Sequence, residues 1–190
     1  MRKLIVSEFL TLDGVMEAPG DEPGRPHSGW VLDSLSPDLL TYKLDELLEA
    51  ESLLIGRVTY EMFAGLWPQR TGAFADKMNE MPKQVVAATL RDPAWNNCHL
   101  ISTDVVDAVK RFKQGFGGPL LVVGSRTLVH ALLEHQLIDE CRLITVPVVL
   151  GSGRHLFPEN QSKITLRLIE TRKFTSGAVM NTYVQSNNRG

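Results

Sequence analysis

The sequence is poor in cysteine and has none of the spacings that bind metals. Its 190 residues include two cysteines, Cys98 and Cys141, without a CxxC pair or a Cys/His pattern of the kind that holds zinc. Neither a disulfide framework nor a metal site is therefore expected. Apolar residues flank both positions, which favours two small buried core side chains.

Long apolar runs and clusters of basic residues are also missing. No segment approaches the about 20 apolar residues that cross a bilayer, and Glu8 and Asp13 interrupt the apolar stretch that begins at Leu4, unlike a signal peptide. The 20 Lys and Arg against 22 Asp and Glu give a formal net charge of −2, whereas a nucleic-acid surface needs clustered positive charge. We expect a cytoplasmic protein that binds neither nucleic acid nor membrane.

What remains is the composition of an ordinary globular protein, with 43% hydrophobic and 22% charged residues. A chain of this length buries enough surface for one sizeable core. We therefore predict a single domain over residues 1–190.

Short aliphatic segments alternate with amphipathic ones along most of the chain. We predict strands at 3–10, 52–55, 83–88, 98–101, 120–123 and 141–150. Helices are predicted from 36, 59 and 103 and after 125, and the runs 164–174 and 178–185 are typical of a closing β-hairpin. The pattern predicts an α/β fold with a mixed, mostly parallel sheet of about eight strands, about four helices and a C-terminal hairpin.

Residues 13–37 break this regularity, with four Gly and four Pro and no helical or strand period. A loop of this length inside a compact domain commonly faces a ligand. Within it, Trp30 either covers that ligand or anchors the loop to the core.

Two predicted strand-to-helix junctions, 55–59 and 123–127, each have a glycine as their second residue, at the end of a buried strand. Ligands of open α/β sheets bind where strands end and helices begin. A glycine lets a ligand or another backbone approach closely, and free helix N–H groups attract anions.

The side chains at these junctions suit phosphate. At the first, Arg57 is a bidentate donor and Thr59 a potential helix cap whose hydroxyl reaches an oxygen. The second offers Ser125, Arg126 and Thr127. A tight turn with a solvated arginine explains either junction alone, but two on one sheet favour a ligand with several phosphates, such as a dinucleotide.

Two common signatures are absent from the sequence. The first predicted strand is followed by Thr11-Leu12-Asp13-Gly14 instead of the dinucleotide-binding G-x-G-x-x-G. No G-x-S-x-G elbow is present, which argues against a hydrolase.

The motifs in these positions resemble those of the dihydrofolate reductase-like family. The segment 54–61, Leu-Ile-Gly-Arg-Val-Thr-Tyr-Glu, is similar to the Gly-Arg-x-Thr segment of dihydrofolate reductases, and 122–125 is similar to their second glycine turn. The segments 11–14 and 137–151 are similar to the reductase domain of bacterial riboflavin biosynthesis, the C-terminal part of a bifunctional deaminase-reductase. The resemblance extends over about residues 3–184, with the motifs in the same order.

This resemblance implies a dihydrofolate reductase-like fold that binds NADPH across both junctions. The implied cofactor-binding residues are Gly56, Arg57, Val58, Thr59, Gly124, Ser125, Arg126 and Thr127. Arg57 is expected near the adenosine 2′-phosphate, and the turn at Gly124 near the pyrophosphate.

The implied activity is hydride transfer to a small heterocycle of the pterin or pyrimidine type. It resembles the reaction of dihydrofolate reductase or of 5-amino-6-(5-phosphoribosylamino)uracil reductase. No zinc-deaminase signature accompanies it. The alternative is a nucleotide-binding module of the same fold without turnover. A homodimer is also expected, from the resemblance and from the apolar run 143–150.

Two aspartates are candidates for the catalytic acid. Asp38 stands in the first turn of the predicted helix, a place comparable to that of the carboxylate in dihydrofolate reductases, although the helix dipole alone also favours an acid there. Asp13 lies beside the expected nicotinamide pocket, and its alternative is a plain turn residue.

Overall fold

The computed structural model describes residues 1–157 and 163–185, which contain eight strands and five α-helices. The strands are β1 (Leu4–Thr11), β2 (Ser52–Gly56), β3 (Lys83–Val86), β4 (Cys98–Ile101), β5 (Leu120–Val122), β6 (Glu140–Val146), β7 (Leu166–Lys173) and β8 (Val179–Gln185). The helices are α1 (Pro37–Glu49), α2 (Arg57–Leu66), α3 (Ala73–Glu80), α4 (Val105–Gln114) and α5 (Arg126–Glu134).

The strands form one mixed, mostly parallel sheet in the order β4-β3-β2-β5-β1-β6-β8-β7. β2 pairs in parallel with β3 and β5, and β3 pairs in parallel with β4. β8 runs antiparallel to both β6 and β7. The predicted α/β class and the C-terminal hairpin are confirmed.

The chain divides into two compact units. The first comprises residues 1–5 and 42–137, and the second comprises 6–41 and 138–190. In the first unit, Leu53, Ile55 and Val85 on neighbouring strands are at most 1% exposed and form the centre of an apolar cluster. In the second unit, Ile144 and Phe174 are buried to the same degree.

Helix α3 is the element that the sequence did not predict, so the described helices number five instead of about four. It is eight residues long, and Gly72 at its N-cap has a φ of 104° and no side chain to cap the helix. Ala75 and Met78 are buried. A helix this short gets its stability from packing and shows too few repeats for an apolar period to be visible.

Several predicted boundaries also differ from the structure: β3 ends at Val86 instead of 88, and α4 begins at Val105 instead of 103. α2 begins at Arg57 with Gly56 as its N-cap, so Thr59 lies inside the first turn and does not cap the helix. β6 ends at Val146 instead of extending to 150. Pro147 has no N–H to give to a neighbouring strand, which explains the early end.

The pairing of the hairpin β7–β8 is interrupted by a bulge. Leu168 pairs with Tyr183 and Glu170 with Thr182, so Ile169 has no partner in the register. The side chains of Leu168 and Ile169 are 50% and 46% exposed.

The first half of the apolar run 143–150 is buried within the chain itself, and the second half is partly or fully exposed. Leu143, Ile144 and Val146 are buried, whereas Val149 is 66% exposed. The run therefore gives less support to a homodimer than the sequence suggested, because the side chains of β6 already pack inside the second unit.

The two cysteines differ in their environment. Cys141 is buried, as predicted, whereas Cys98 is only partly buried. Burial, together with the nearby charge of Glu8, raises the pKa of the Cys141 thiol to about 12. The helices within the described residues are too short or too polar to cross a bilayer.

Candidate functional site

Both predicted junctions lie in the first unit, and each places an arginine at the first position of a helix. Arg57 begins α2 and Arg126 begins α5. The N-cap residues Gly56 and Ser125 make no side-chain capping bond. The first N–H groups of both helices thus lack the usual capping acceptor, which is the condition in which a helix start binds an anion.

The Ser125 hydroxyl joins the two junctions. The Gly56 N–H donates a hydrogen bond to Ser125 Oγ at 2.6 Å. The hydroxyls of Thr59 and Ser125 share a hydrogen bond at 2.8 Å. Segments that are far apart in sequence therefore form one continuous site.

Glycine is required at both turns. A Cβ atom on Gly56 would lie 2.6 Å from Ser125 Oγ, and one on Gly124 would lie 2.9 Å from Thr59 Oγ1. Gly124 has a φ of 71° and Ser125 a φ of 64°, so two consecutive residues adopt the left-handed conformation. A non-glycine residue in this region carries strain, which is commonly kept at ligand sites.

Arg57 is engaged by an acidic neighbour that the sequence analysis did not single out. Its Nη1 donates to both Glu61 carboxylate oxygens, at 2.8 and 2.9 Å. The two side chains are 45% and 48% exposed. Exposed pairs one helical turn apart are weak, so a phosphate can displace the Glu61 carboxylate.

The remaining junction residues line the outside of the helix starts. Val58 is 58% exposed. Thr127 is exposed too, and its hydroxyl makes no hydrogen bond to the part of the chain that the structure describes. Both side chains are accessible to a ligand.

A buried lysine supports the same unit. Lys83 on β3 is fully buried, and its Nζ donates to the carbonyl oxygens of Asn79, Met81 and Asn96 at 2.9, 2.7 and 3.0 Å. It also lies 4.3 Å from the centre of the Trp95 ring. Burial lowers the pKa of Lys83 to about 8. The three carbonyls and the ring still favour the ammonium form at neutral pH.

In the second unit, Asp13 is held by hydrogen bonds. Its carboxylate accepts from the Thr11 hydroxyl at 2.6 Å, the Gly151 N–H at 2.8 Å and the Leu150 N–H at 3.3 Å. These bonds, chiefly that from Thr11, lower the pKa of Asp13 to about 2. Asp13 is therefore ionised at neutral pH and attaches the turn after β1 to the loop after β6.

Asp38 has a similar arrangement at the start of α1. Its carboxylate accepts from the Ser36 hydroxyl at 2.5 Å, from the Thr175 hydroxyl at 2.7 Å and from the Thr175 N–H at 2.9 Å. The bonds from Ser36 and Thr175 hold the pKa of Asp38 well below its ordinary value. It too is an acceptor at neutral pH, and it connects α1 to the turn between β7 and β8.

The long loop 13–37 is partly packed into the second unit. Trp30 is 9% exposed, and its indole N–H donates to the Glu17 carbonyl at 2.8 Å, so of its two predicted roles the structure supports the anchor. In the same loop, partial burial raises the pKa of Glu22, against the opposing effect of Arg25.

No group of three or more His, Cys, Asp or Glu residues suited to a metal ion occurs in residues 1–157 and 163–185.

One family model and one curated relative match this chain over nearly its whole length. The family model of the RibD C-terminal domain matches residues 2–180. The Bacillus subtilis protein YyaP, which is uncharacterised, is 26% identical over 186 residues, covering 96% of this chain and 94% of its own.

Two crystal structures show the same architecture. One, from Shewanella sp. PV-4 and described as a riboflavin biosynthesis protein, has a TM-score of 0.76 at 22% identity and covers 97% of this chain and 99% of its own. The other is dihydrofolate reductase from Enterococcus faecalis in complex with NADP(H) and RAB-propyl, with a TM-score of 0.64 at 14% identity and 97% coverage of both chains. At these identities the similarity establishes the fold.

Proposed function

The chain belongs to the RibD C-terminal domain family, and from that premise we propose that it is an NADPH-dependent reductase that transfers a hydride to a small heterocycle. The pterin or pyrimidine type of substrate follows from the resemblance to dihydrofolate reductase and to the reductase of riboflavin biosynthesis. The single observation that best supports the proposal is the hydrogen bond between Gly56 and Ser125. It brings two helix starts, each with an arginine, into one site that suits a ligand with several phosphates.

The residues present fit such a cofactor. The turns at Gly56 and Gly124 have no room for a side chain. The N–H groups at the two helix starts are not capped by a side chain and can donate hydrogen bonds to an anion. We assign Arg57 to the 2′-phosphate, and Val58, Thr127 and Arg126 to the surrounding surface. Bound NADPH supplies the hydride, and the protein's contribution is to hold and orient the reacting rings.

We propose that Asp13 and Asp38 position loops in the second unit and do not donate the proton. Hydrogen bonds lower the pKa of both carboxyl groups, so neither carries a proton at neutral pH.

The experiment that tests cofactor binding is a fluorescence titration with NADPH and NADH. We expect NADPH to bind, Arg57→Ala to weaken NADPH by about tenfold, and NADH affinity to change little. Arg91→Ala is the matched control, because Arg91 is exposed and has no partner among the described residues. Absence of binding at millimolar NADPH would contradict the proposal.

A second candidate, a nucleotide-binding module without turnover, is favoured by the hydrogen bonds that occupy the carboxylates of Asp13 and Asp38. The two functions differ in NADPH oxidation with a panel of pterins and pyrimidines. Binding without oxidation of NADPH by any of them would favour the module.

The homodimer also remains a proposal, as do the cytoplasmic location and the absence of nucleic-acid binding. Because β6 is largely covered, the better support for a dimer is now the half-exposed pair Leu168 and Ile169 on β7. Light scattering at the monomer mass would contradict the dimer.

A further inference from the structure

A cleft of about 560 Å³ opens in the first unit beside α4. Its lining includes Gln84 of β3, Leu100 of β4, three residues of α4 (Ala108, Arg111 and Phe112), and Arg2. None of its lining residues belongs to the two glycine junctions. The volume is in the range of small-molecule sites, roughly 300–1,000 Å³.

Gln84 is the unusual residue of this cleft. It is 7% exposed, and its side-chain amide forms no hydrogen bond with any described residue. The amide atoms themselves are not fully enclosed, because among the described residues the buried side-chain nitrogen or oxygen without a partner is Nε1 of Trp67. The Gln84 amide borders the cleft, where a ligand would satisfy it.

Arg111 gives the cleft an uncompensated positive charge. The described residues provide no acidic partner for its exposed guanidinium. The other arginine, Arg2, is paired with Glu51 at 2.6 Å and donates to the Phe116 carbonyl at 2.8 Å. The uncompensated positive charge of the cleft is therefore that of Arg111, on the side formed by α4.

The rest of the lining is apolar. Leu100 is 37% exposed, Ala108 is 8% exposed, and Phe112 is partly buried. Apolar walls with a few polar groups are typical of sites for small organic molecules. An inorganic anion would pair with Arg111 but would make no contact with the apolar walls or with the Gln84 amide.

We propose that this cleft binds a small aromatic carboxylate that carries a second polar group. Arg111 pairs with the carboxylate, Gln84 hydrogen-bonds the second polar group, and the ring lies against the apolar wall. Binding is non-covalent and independent of the reductase function proposed above.

The probe we choose is 4-hydroxybenzoate, titrated into the ¹⁵N-labelled full-length protein and followed by NMR. The side-chain amide signal of Gln84 is assigned by its loss in Gln84→Leu. We expect a saturable shift of this signal at millimolar probe. Benzoate, which lacks the hydroxyl, and neutral 4-hydroxybenzamide should each bind about tenfold more weakly.

Three variants test the individual contacts. Arg111→Met should weaken 4-hydroxybenzoate by about tenfold, whereas Arg91→Met, the matched control, should leave it unchanged. Ala108→Leu should block the cleft. Gln84→Leu should reduce the affinity for 4-hydroxybenzoate to the level of benzoate and leave the affinity for benzoate itself unchanged; a purely structural role for Gln84 predicts that both affinities fall.

The proposal is overturned if no shift occurs at millimolar probe, if Arg111→Met binds equally well, or if inorganic phosphate competes as strongly as the aromatic acid. It is also overturned if a second copy of the chain covers the cleft. Sedimentation would then show a dimer that Arg111→Glu dissociates. None of these outcomes depends on NADPH, so the inference and the proposed function can fail separately.

Discussion

The Gly56 N–H and the Ser125 hydroxyl, 69 positions apart in sequence, form a 2.6 Å hydrogen bond that joins the starts of α2 and α5. The Ser125 hydroxyl therefore has a structural role in the absence of any ligand. Its hydroxyl is occupied by Gly56 and Thr59, which leaves the backbone N–H groups and the arginines as the donors for phosphate.

Ser125→Ala should lower the free energy of unfolding by about 1–2 kcal/mol, because the Gly56 N–H and the Thr59 hydroxyl both lose their partner. Urea denaturation measures the change. Thr127→Ala, two residues away and exposed, should change stability by less than about 0.5 kcal/mol. Equal effects of the two substitutions would contradict the joining role of Ser125.

Gly124→Ala should destabilise the protein by about 1–3 kcal/mol, because φ is 71° and the new Cβ would lie 2.9 Å from Thr59 Oγ1. Gly65→Ala is the control in α2, where nothing lies within 4 Å of the new Cβ. There alanine should raise stability by up to about 1 kcal/mol. Thermal unfolding of the two variants should shift Tm in opposite directions.

Glu61→Gln tests whether the ion pair with Glu61 competes with a phosphate for the Arg57 guanidinium. Removing the carboxylate frees the guanidinium, so NADPH affinity should rise by about two- to threefold while NADH affinity is unchanged. Fluorescence titration at low ionic strength measures both. A fall in NADPH affinity would show that Glu61 instead orients Arg57 for binding.

The low pKa of Asp13 has a defined effect on stability. Its folded value is about 2 against an ordinary 3.8, so the ionised carboxylate stabilises the fold above pH 3.8, and this contribution is lost as pH falls through about 2. Asp13→Asn should be less stable than the wild type at neutral pH, and the difference should shrink towards pH 2 in urea denaturation. Asp21→Asn, at an exposed loop position, should show no such pH-dependent difference.

Lys83 has a pH dependence of the same sign, but in the alkaline range. Its folded pKa is about 8 against an ordinary 10.5, so the unfolded chain binds more protons between these values and stability rises with pH across that interval. Lys83→Met should remove this rise and, by leaving three carbonyls without their donor, destabilise the protein by about 1–3 kcal/mol at neutral pH. Lys110→Met on the exposed side of α4 should keep the rise.

Much of the architecture could be predicted from local patterns, because buried strands are aliphatic runs and amphipathic helices repeat. Cys98–Ile101 was predicted at both ends. The arginines at the starts of α2 and α5 were also visible, since Arg57 directly follows Gly56 at the end of β2 and Arg126 lies two residues after Gly124.

What the sequence does not reveal depends on distant partners. Nothing local indicates that Ser125 bonds to Gly56, or that Thr175 bonds to Asp38 from 137 positions away. An acid at the start of a helix looks the same whether it donates a proton or accepts three hydrogen bonds. Likewise Lys83 lies in an ordinary strand pattern, and its three carbonyl acceptors come from the chain around it.

The bulge at Ile169 has a consequence for how the protein behaves at high concentration. β7 is the last of the described strands on its side of the sheet, so no described strand pairs with its outer row of N–H and C=O groups. The missing register partner at Ile169 and the charges of Arg167, Glu170, Arg172 and Lys173 disfavour a flat, open-ended addition of strands. Substitutions that straightened this edge and removed its charges would make β7 a template for aggregation.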